Sequence, residues 1–443
     1  MSEALVKSET FNNTPIGNFP LDWDIVAIGD IATYVGSGIT PKGGSNIYKK
    51  EGILFIRSQN VTFEGLLLDD VAHIDERIHK IMKRSEVFAH DVLLNITGAS
   101  IGRCCPLPEG LGKVNVNQHV CAIRLPNSNS ENAIFLSSVL ASYIGESQIN
   151  KLNAGGNREG LNYQQLRAFL IPLPPTKERA DIAKILDTVD KAIALTDTHI
   201  TKLKKAKAGL LHDLLTRGID DHGELRDYTR NPELFKRSLL GIIPKDWDVE
   251  PLHKHTLSSA FGPRFSSSLY ADDGNVATLR TTDMDEEGNL DLSTMPLAHL
   301  NLELFNLHIL EVGDLLISRS GTCGITAVFP GFNIPVLPGA FLIRFRLKES
   351  VKAEFIRRYF NYELGRARVL NEAEGGVQKN LRGSTLLKLL IPIPPKQEQD
   401  AIIHQLRCYE SRIITRKICL DKLKLLKKGL MSDLLTGRVR VKI

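Results

Sequence analysis

The sequence predicts a mixed α/β protein: two globular domains joined by two long antiparallel coiled-coil helices with pseudo-twofold symmetry. Three observations predict it. The stretch 171–216 recurs at 391–436 without a gap. Each copy carries a long heptad pattern, the signature of a helix that pairs along a seam. The segments before the copies, roughly 16–170 and 240–390, match each other only loosely and alternate short β-like runs with turns.

Each copy opens on a Pro-x-Pro-Pro run. Ile171, Pro172, Pro174, Pro175 and Glu178 recur as Ile391, Pro392, Pro394, Pro395 and Glu398. Proline fixes φ and disfavours helix in the residue before it, so this is an extended lead-in. Each copy closes on Asp-Leu-Leu-Thr, at 213–216 and 433–436, with Gly218 and Gly437 just beyond, where a helix C-cap belongs. The looser matches lie upstream. Pro20-Leu21-Asp22-Trp23-Asp24 resembles Pro244-Lys245-Asp246-Trp247-Asp248, Thr97-Gly98 resembles Ser320-Gly321, and Gly155-Gly156 resembles Gly375-Gly376.

Between lead-in and cap, a helix of about 177–215 is expected, roughly 58 Å long at ~1.5 Å per residue. Its seam carries Leu186, Val189, Ile193, Thr196, Ile200 and Leu203 in the first copy. The second copy offers Leu406, Tyr409, Ile413, Arg416, Leu420 and Leu423. Both copies interrupt the apolar pattern at the same places, Thr196/Arg416 and Lys207/Lys427, and polar seam residues commonly fix register. An antiparallel pair would give each module its own end of the rod. A parallel pair would crowd both at one end.

Within the modules, runs such as 53–56, 92–96, 315–317 and 340–345 read as strands, and 133–152 and 352–371 as helices, around a small curved sheet. Polar residues collect in the turns. In the first module these are Ser37, Thr40, Lys42, Arg57, Ser58, Gln59, Asn60, Asn117, Gln118 and His119. In the second they are Arg264, Ser266, Arg280, Thr281, Thr282, Asp283, Arg319 and Ser320. Such side chains on loops supply what base edges and phosphates require, although solvated loops use the same residues.

Bulk properties fit this reading without forcing it. Among 443 residues, 56 Lys+Arg against 51 Asp+Glu give a net charge of +5, which permits a nucleic-acid partner but does not demand one. Six cysteines stand in no Cys-x-x-Cys or Cys/His spacing, so they read as free thiols packed as small hydrophobes, and no metal site is expected. The start lacks a basic, then apolar, signal, and no run of 18 apolar residues exists, so a cytoplasmic protein without membrane contact is expected. His73 and His79 read as surface groups. Gly36-Ser37-Gly38 lacks the third glycine of a dinucleotide loop, and Val114 follows Gly112-Lys113 where a P-loop needs Ser or Thr. No Asn-Pro-Pro-aromatic run for a flipped base and no Pro-Asp start of a nuclease motif occurs, so no catalytic centre is expected.

Taken together, the two Ile-Pro-x-Pro-Pro…Glu lead-ins, the helices ending in Asp-Leu-Leu-Thr and the paired Pro-x-Asp-Trp openings make the chain resemble the specificity subunits of type I restriction–modification systems. The likeness spans nearly the whole length and includes the join Leu214-Leu215-Thr216-Arg217-Gly218-Ile219 through Trp247. The resemblance implies target-recognition domains at 1–170 and 240–390. Spacer helices follow at 171–219 and 391–443, with a linker at 220–239. It implies a non-catalytic DNA-binding subunit that reads a bipartite double-stranded target in defence against foreign DNA. Its partners would be two modification subunits that methylate adenine with S-adenosylmethionine, and restriction subunits that cleave using ATP and Mg2+. No cofactor would be bound by this chain. A fused methyltransferase or nuclease, and a coiled-coil protein with capping domains, are the competing readings.

Overall fold

The computed structural model describes residues 5–7, 10–153, 160–373 and 380–441. The Gly155-Gly156 and Gly375-Gly376 match lies outside them. The chain divides into two compact units: Met1–Ile200 with Arg416–Ile443, and Thr201–Thr415. The long helices span Thr176–Thr216 and Lys396–Leu434, so each is shared between the units.

In unit 1 the start of the first helix packs against the end of the second. Ile182, Ala183 and Leu186 share one core with Leu430, Met431, Leu434 and Leu435. Further along, Lys427 Nζ lies 2.6 Å from Asp190. One helix number rises as the other falls, so the pair is antiparallel. Unit 2 repeats this with the roles exchanged: Ile402, Ile403 and Leu406 pack with Leu210, Leu211, Leu214 and Leu215. Lys207 Nζ lies 3.4 Å from Glu410. Asp190 and Glu410 occupy the same repeat position, as do Lys207 and Lys427. Each seam-breaking lysine therefore meets the acid of the other repeat. Leu186, Val189, Ile193, Ile200, Leu406 and Ile413 are buried, while Leu203, Tyr409, Leu420 and Leu423 are half-buried. Buried Thr196 satisfies its hydroxyl on its own helix, donating to Ala192 O at 2.7 Å, and Arg416 is exposed.

Each module is built on two sheets of three or four strands rather than one, beside two-stranded ribbons. In unit 1 the strand order is Glu86–Val87, Val114–Val116, Ile53–Ile56, Ala72–Ile74 in one sheet. The other runs Cys104–Pro106, Val92–Asn95, Val120–Arg124, Tyr34–Ser37. Unit 2 has Thr256–Phe261, Leu342–Leu347, Leu315–Ser318, Thr326–Val328 and a three-stranded sheet of Leu297–Ala298, Val276–Leu279, Val336–Pro338. The central strands are buried on both faces, and alternation divides their side chains between two cores. Val92 and Leu94 face the core shared with the long helices, while Leu93 faces a second core under the other sheet. Leu315, Ile317 and Leu316 do the same in unit 2. A buried carboxylate fixes each register: Asp91 accepts from Arg124 at 2.7 and 2.8 Å, and Asp314 from Arg346 at 2.9 and 3.0 Å.

The expected helical stretches 133–152 and 352–371 are each formed by two helices, Ser130–Ala141 with Tyr143–Asn153 and Ala353–Asn361 with Glu363–Asn371. Ser142 and Tyr362 are extended at the breaks. The turn folds back so closely that a Cβ at Gly145 would lie 2.1 Å from Leu140 O, and one at Gly365 1.9 Å from Tyr359 O. His79 is not a surface group: it is buried, with Nδ1 2.7 Å from Asn115 Oδ1, because Asn115 needs a partner inside the sheet. Cys104, Cys105 and Cys121 are buried free thiols, and Cys323 is buried with its Sγ 2.9 Å from Arg319 O. Burial pushes those of Cys105 and Cys121 up to about 12.

The repeated motifs meet in a clasp. The lead-in strand Leu170–Leu173 pairs with Asp24–Ala27, and Leu390–Ile393 with Asp248–Pro251, which brings each Trp beside its Glu. Trp23 Nε1 donates to fully buried Glu178 at 3.1 Å, and Arg440 donates to the same carboxylate twice at 2.7 Å. In unit 2 Trp247 donates to Glu398 at 2.9 Å and Arg226 at 2.6 and 3.2 Å. Gly218 and Gly437, at φ 65° and 66°, turn the chain out of each helix into this clasp. A Cβ at Gly218 would stand 2.2 Å from Glu398 Oε1, and one at Gly437 2.4 Å from Pro20.

Candidate nucleic-acid interface

In unit 1 the parallel strands Ile53–Ile56 and Val114–Val116 end at one edge, where Asn117 N donates to Ile56 O at 3.0 Å. The turns that follow them, 57–60 and 117–119, therefore stand together. The end of Tyr34–Ser37 joins them, since Gly38 N donates to Asn117 O at 3.1 Å. A Cβ on Gly38 would lie 1.7 Å from Val116 O, so this glycine serves a close crossing of chains rather than a phosphate loop.

A chain of polar side chains covers this edge. Ser37 Oγ is 2.5 Å from Tyr163 OH, and Thr40 donates to Gln118. Gln118 Nε2 lies 3.1 Å from His119 Nε2, and His119 Nδ1 lies 2.6 Å from Thr97 Oγ1. Thr40, Lys42, Gln59 and Gln118 are exposed, while Ser37, Arg57, Ser58 and His119 are half-buried. Asn60 and Asn117 sit differently. Buried Asn60 accepts from Arg57 N at 3.0 Å and donates to Leu67 O at 2.9 Å, so it holds the turn. Buried Asn117 accepts from His119 N at 3.1 Å. Arg57 stacks 5.6 Å from the Tyr48 ring and lies 3.4 Å from Asp70 O.

The same edge in unit 2 has other chemistry. Arg319 packs 4.7 Å over Phe261 and donates to Asn380 Oδ1 at 3.2 Å. Its backbone N–H donates to Phe341 O at 2.8 Å, and Ser320 bridges to Asn380. By strand register Phe341 takes the place of His119, and Phe261 that of Ser37. Phe341 is 55% exposed, which is unusual for an aromatic with a core one residue away. Buried Asp283 is the counterpart of Asn60: it accepts from Arg280 N at 2.7 Å and from its guanidinium at 2.8 and 3.2 Å. That bond lifts the Arg280 guanidinium still higher. Thr281 and Thr282 complete this turn. Arg264 and Ser266 are exposed beyond Gly262, and Ser266 caps the turn 267–269.

Tyr163, Thr97, Phe261, Phe341 and Asn380 were not among the residues expected from sequence. Only Thr97 carried a signal, through its repeat match to Ser320. Among the described residues, no group of three or more His, Cys, Asp or Glu could hold a metal ion, and no helix is long and apolar enough to cross a membrane.

Comparison with known proteins falls on the same frame. Residues 20–205 and 254–423 match the family described as the type I restriction modification DNA specificity domain. The chain is 27% identical over 441 residues to the putative type I restriction enzyme MjaX specificity subunit of Methanocaldococcus jannaschii, covering 98% of each. It is 21% identical to the EcoKI specificity subunit of Escherichia coli, covering 88% of this chain and 82% of that protein. Among solved structures, the S subunit of a type I restriction–modification system from M. genitalium superposes with a TM-score of 0.56 at 14% identity, covering 97% and 98%. A chain from a structure of type I assembly and conformational transition gives 0.53 at 16%, covering 95% and 99%.

Proposed function

Because the chain belongs to the type I restriction–modification DNA specificity family, we propose that its two modules each read one half of a split double-stranded DNA target. As a specificity subunit it is non-catalytic on its own and works with modification and restriction subunits. The observation that carries the two-reader proposal is the contrast between the edges. One strand framework presents hydroxyl, amide and imidazole groups at Ser37, Thr40, Gln118 and His119. The repeated framework presents guanidinium and aromatic groups at Arg319, Phe261 and Phe341. Amides and hydroxyls pair with base edges, guanidinium with guanine or phosphate, and aromatic faces with thymine methyls or unstacked bases. Lys42, Arg57, Ser58, Gln59, Arg264, Ser266, Arg280, Thr281, Thr282 and Ser320 flank these groups as phosphate and sugar contacts. Asn60, Asn117 and Asp283 hold the turns that carry them.

In this proposal residues 1–170 and 240–390 are the target-recognition domains, 220–239 is the linker, and the helices of 171–219 and 391–443 are spacer and platform for two modification subunits. Those subunits methylate adenine with S-adenosylmethionine, and ATP and Mg2+ serve the restriction subunits, all in the cytoplasm. The test replaces residues 16–170 with a relative's module and maps methylated adenines in DNA modified by the hybrid enzyme. A change confined to one half-site is expected; a change in both refutes independent reading. Labelled S-adenosylmethionine incubated with DNA and this chain alone should leave DNA unlabelled, and labelling would favour a fused methyltransferase.

A further inference from the structure

The two units differ at one repeated place beside the long helices. In unit 2, Lys207 meets Glu410 and also, at 3.0 Å, Glu287 at the tip of the turn between Met284 and Leu290. That tip is clamped: Arg357 and Asn361 each donate to Glu287 O at 3.0 Å, and Arg366 lies 3.4 Å from Glu286 O. Gly288 is so tightly seated that a Cβ would come 2.0 Å from Thr326 O. Arg358 fills the space beneath, bonded to Glu354 and, at 2.8 Å, to Glu410.

Unit 1 keeps the frame and loses the filling. The repeat places Ser137, Ser138, Ala141 and Glu146 where unit 2 has Arg357, Arg358, Asn361 and Arg366. The matching hairpin, Val61–Thr62 with Gly65–Leu66, meets nothing within 4 Å of a Cβ built on Gly65, and its Phe63 is 45% exposed. Three Arg and one Asn side chains are thus replaced, three of the four by small residues. An open groove of about 750 Å³ lies there, between Phe63, Tyr143, Ile193 and Met431. Lys427 reaches it already neutralised by Asp190. Lys424, Lys428 and Arg438 stand exposed at its rim, with no ion pair among the described residues, against Glu64 and Glu146. Lys428 replaces Ala208 of the first repeat, while Lys424 has its counterpart in Lys204, so Lys428 is the rim cation that the repeat makes particular to this groove.

We propose that this groove docks an acidic segment of a modification subunit that presents a bulky apolar side chain beside its carboxylates. The carboxylates meet Lys424, Lys428 and Arg438, as Glu287 meets Lys207 in unit 2. The apolar side chain enters the groove beside Ala141, from which a smaller adjoining pocket of about 220 Å³ reaches Ser137 and Ser138. Unit 2 pairs Glu287 of its own turn with Lys207, whereas Glu64 at the matching place of unit 1 makes no ion pair among the described residues, so the two units are unequal docking sites. The proposal rests on the reading of the chain as a specificity subunit with modification partners.

The experiment mixes the full chain with its modification subunit over a range of concentrations and salt, and reads complex masses by mass photometry. The variants are K424E/K428E, R438E and, as the unit 2 counterpart, K204E; all four positions are exposed. K424E/K428E should weaken one binding step about tenfold or more, with a loss that shrinks as salt rises, and K204E should leave both steps unchanged. Equal loss in K204E, or unchanged assembly in K424E/K428E, overturns this proposal while leaving the specificity-subunit reading intact. Lost DNA affinity with unchanged assembly assigns the rim to DNA and also overturns it. A wild-type chain that binds no modification subunit defeats the underlying reading itself.

Discussion

Replacing Arg440 by Ala removes the cation that holds the carboxylate of Glu178. That carboxylate is fully buried and takes four bonds: two from Arg440 at 2.7 Å, one from Trp23 Nε1 at 3.1 Å and one from the Val441 N–H at 3.4 Å. Breaking a buried pair from one side costs roughly 3–5 kcal/mol, because an uncompensated charge remains. Trp23 stays behind as a donor, and the Arg440 side chain is itself 20% exposed, so water can follow its removal. Both facts favour the lower end, about 3 kcal/mol. The bonds from Arg440 to half-exposed Asp22 add little. For a unit of this size, about 3 kcal/mol lowers the melting temperature by roughly 6–12 °C. Hydrogen exchange localises the loss. Amides of 24–27 and 170–173, which pair beside the clasp, should exchange faster in R440A. Those of 248–251 and 390–393 should not, and R226A should reverse the pattern. Adding Glu178→Gln to R440A removes the stranded charge and should restore part of the stability. If R440A leaves the unit 1 amides as protected as in wild type, or if Glu178→Gln brings no recovery, the clasp does not hold this unit together.

Other outcomes follow from the same framework. Gly38→Ala and Gly262→Ala press a methyl to within 1.7 Å of Val116 O and 2.0 Å of Gly339 O, so each should displace its loop and cost at least about 1–3 kcal/mol in a urea melt; unchanged midpoints would contradict the close approach. His119→Ala and Phe341→Ala should each relax specificity at a different half-site by about 1–3 kcal/mol in a binding selection, and relaxation at the same half-site would refute separate readers. Inserting a heptad next to Thr196 and another next to Arg416 lengthens each helix by about 10 Å and should widen the gap between half-sites by roughly three base pairs; an active enzyme with an unchanged gap would sink the ruler. The N-terminal half carries both Asp190 and Lys207, so two copies can exchange these ion pairs in an antiparallel dimer. A fragment of residues 1–230 includes Arg226, which can take the place of Arg440 on Glu178 of the other copy. It should dimerise more tightly than residues 1–220, and equal masses across a dilution series measured by light scattering would argue against that exchange.

The sequence by itself determined the modular order and the helices. A gapless repeat, heptad spacing and the glycines after Asp-Leu-Leu-Thr are local or periodic signals, and the backbone obeys them wherever it lies. The same pattern marked Lys207 and Lys427 as seam breaks but could not say what they meet. Only antiparallel packing brings Asp190 and Glu410 across to them. The clasp was half legible: Trp and Glu recur in the motifs, but Arg226 and Arg440 fall outside the gapless repeat and become equivalent only in space. The candidate interface was least legible. Polarity alone cannot separate a side chain that faces water from one that caps its own turn, so buried Asn60 and Asp283 looked the same as exposed Gln59 and Thr282. Nor could it find Tyr163, Phe341 or Asn380, because strands far apart in the chain decide which turns share an edge. Register and burial are set by the summed packing of both cores, and no single segment carries that information.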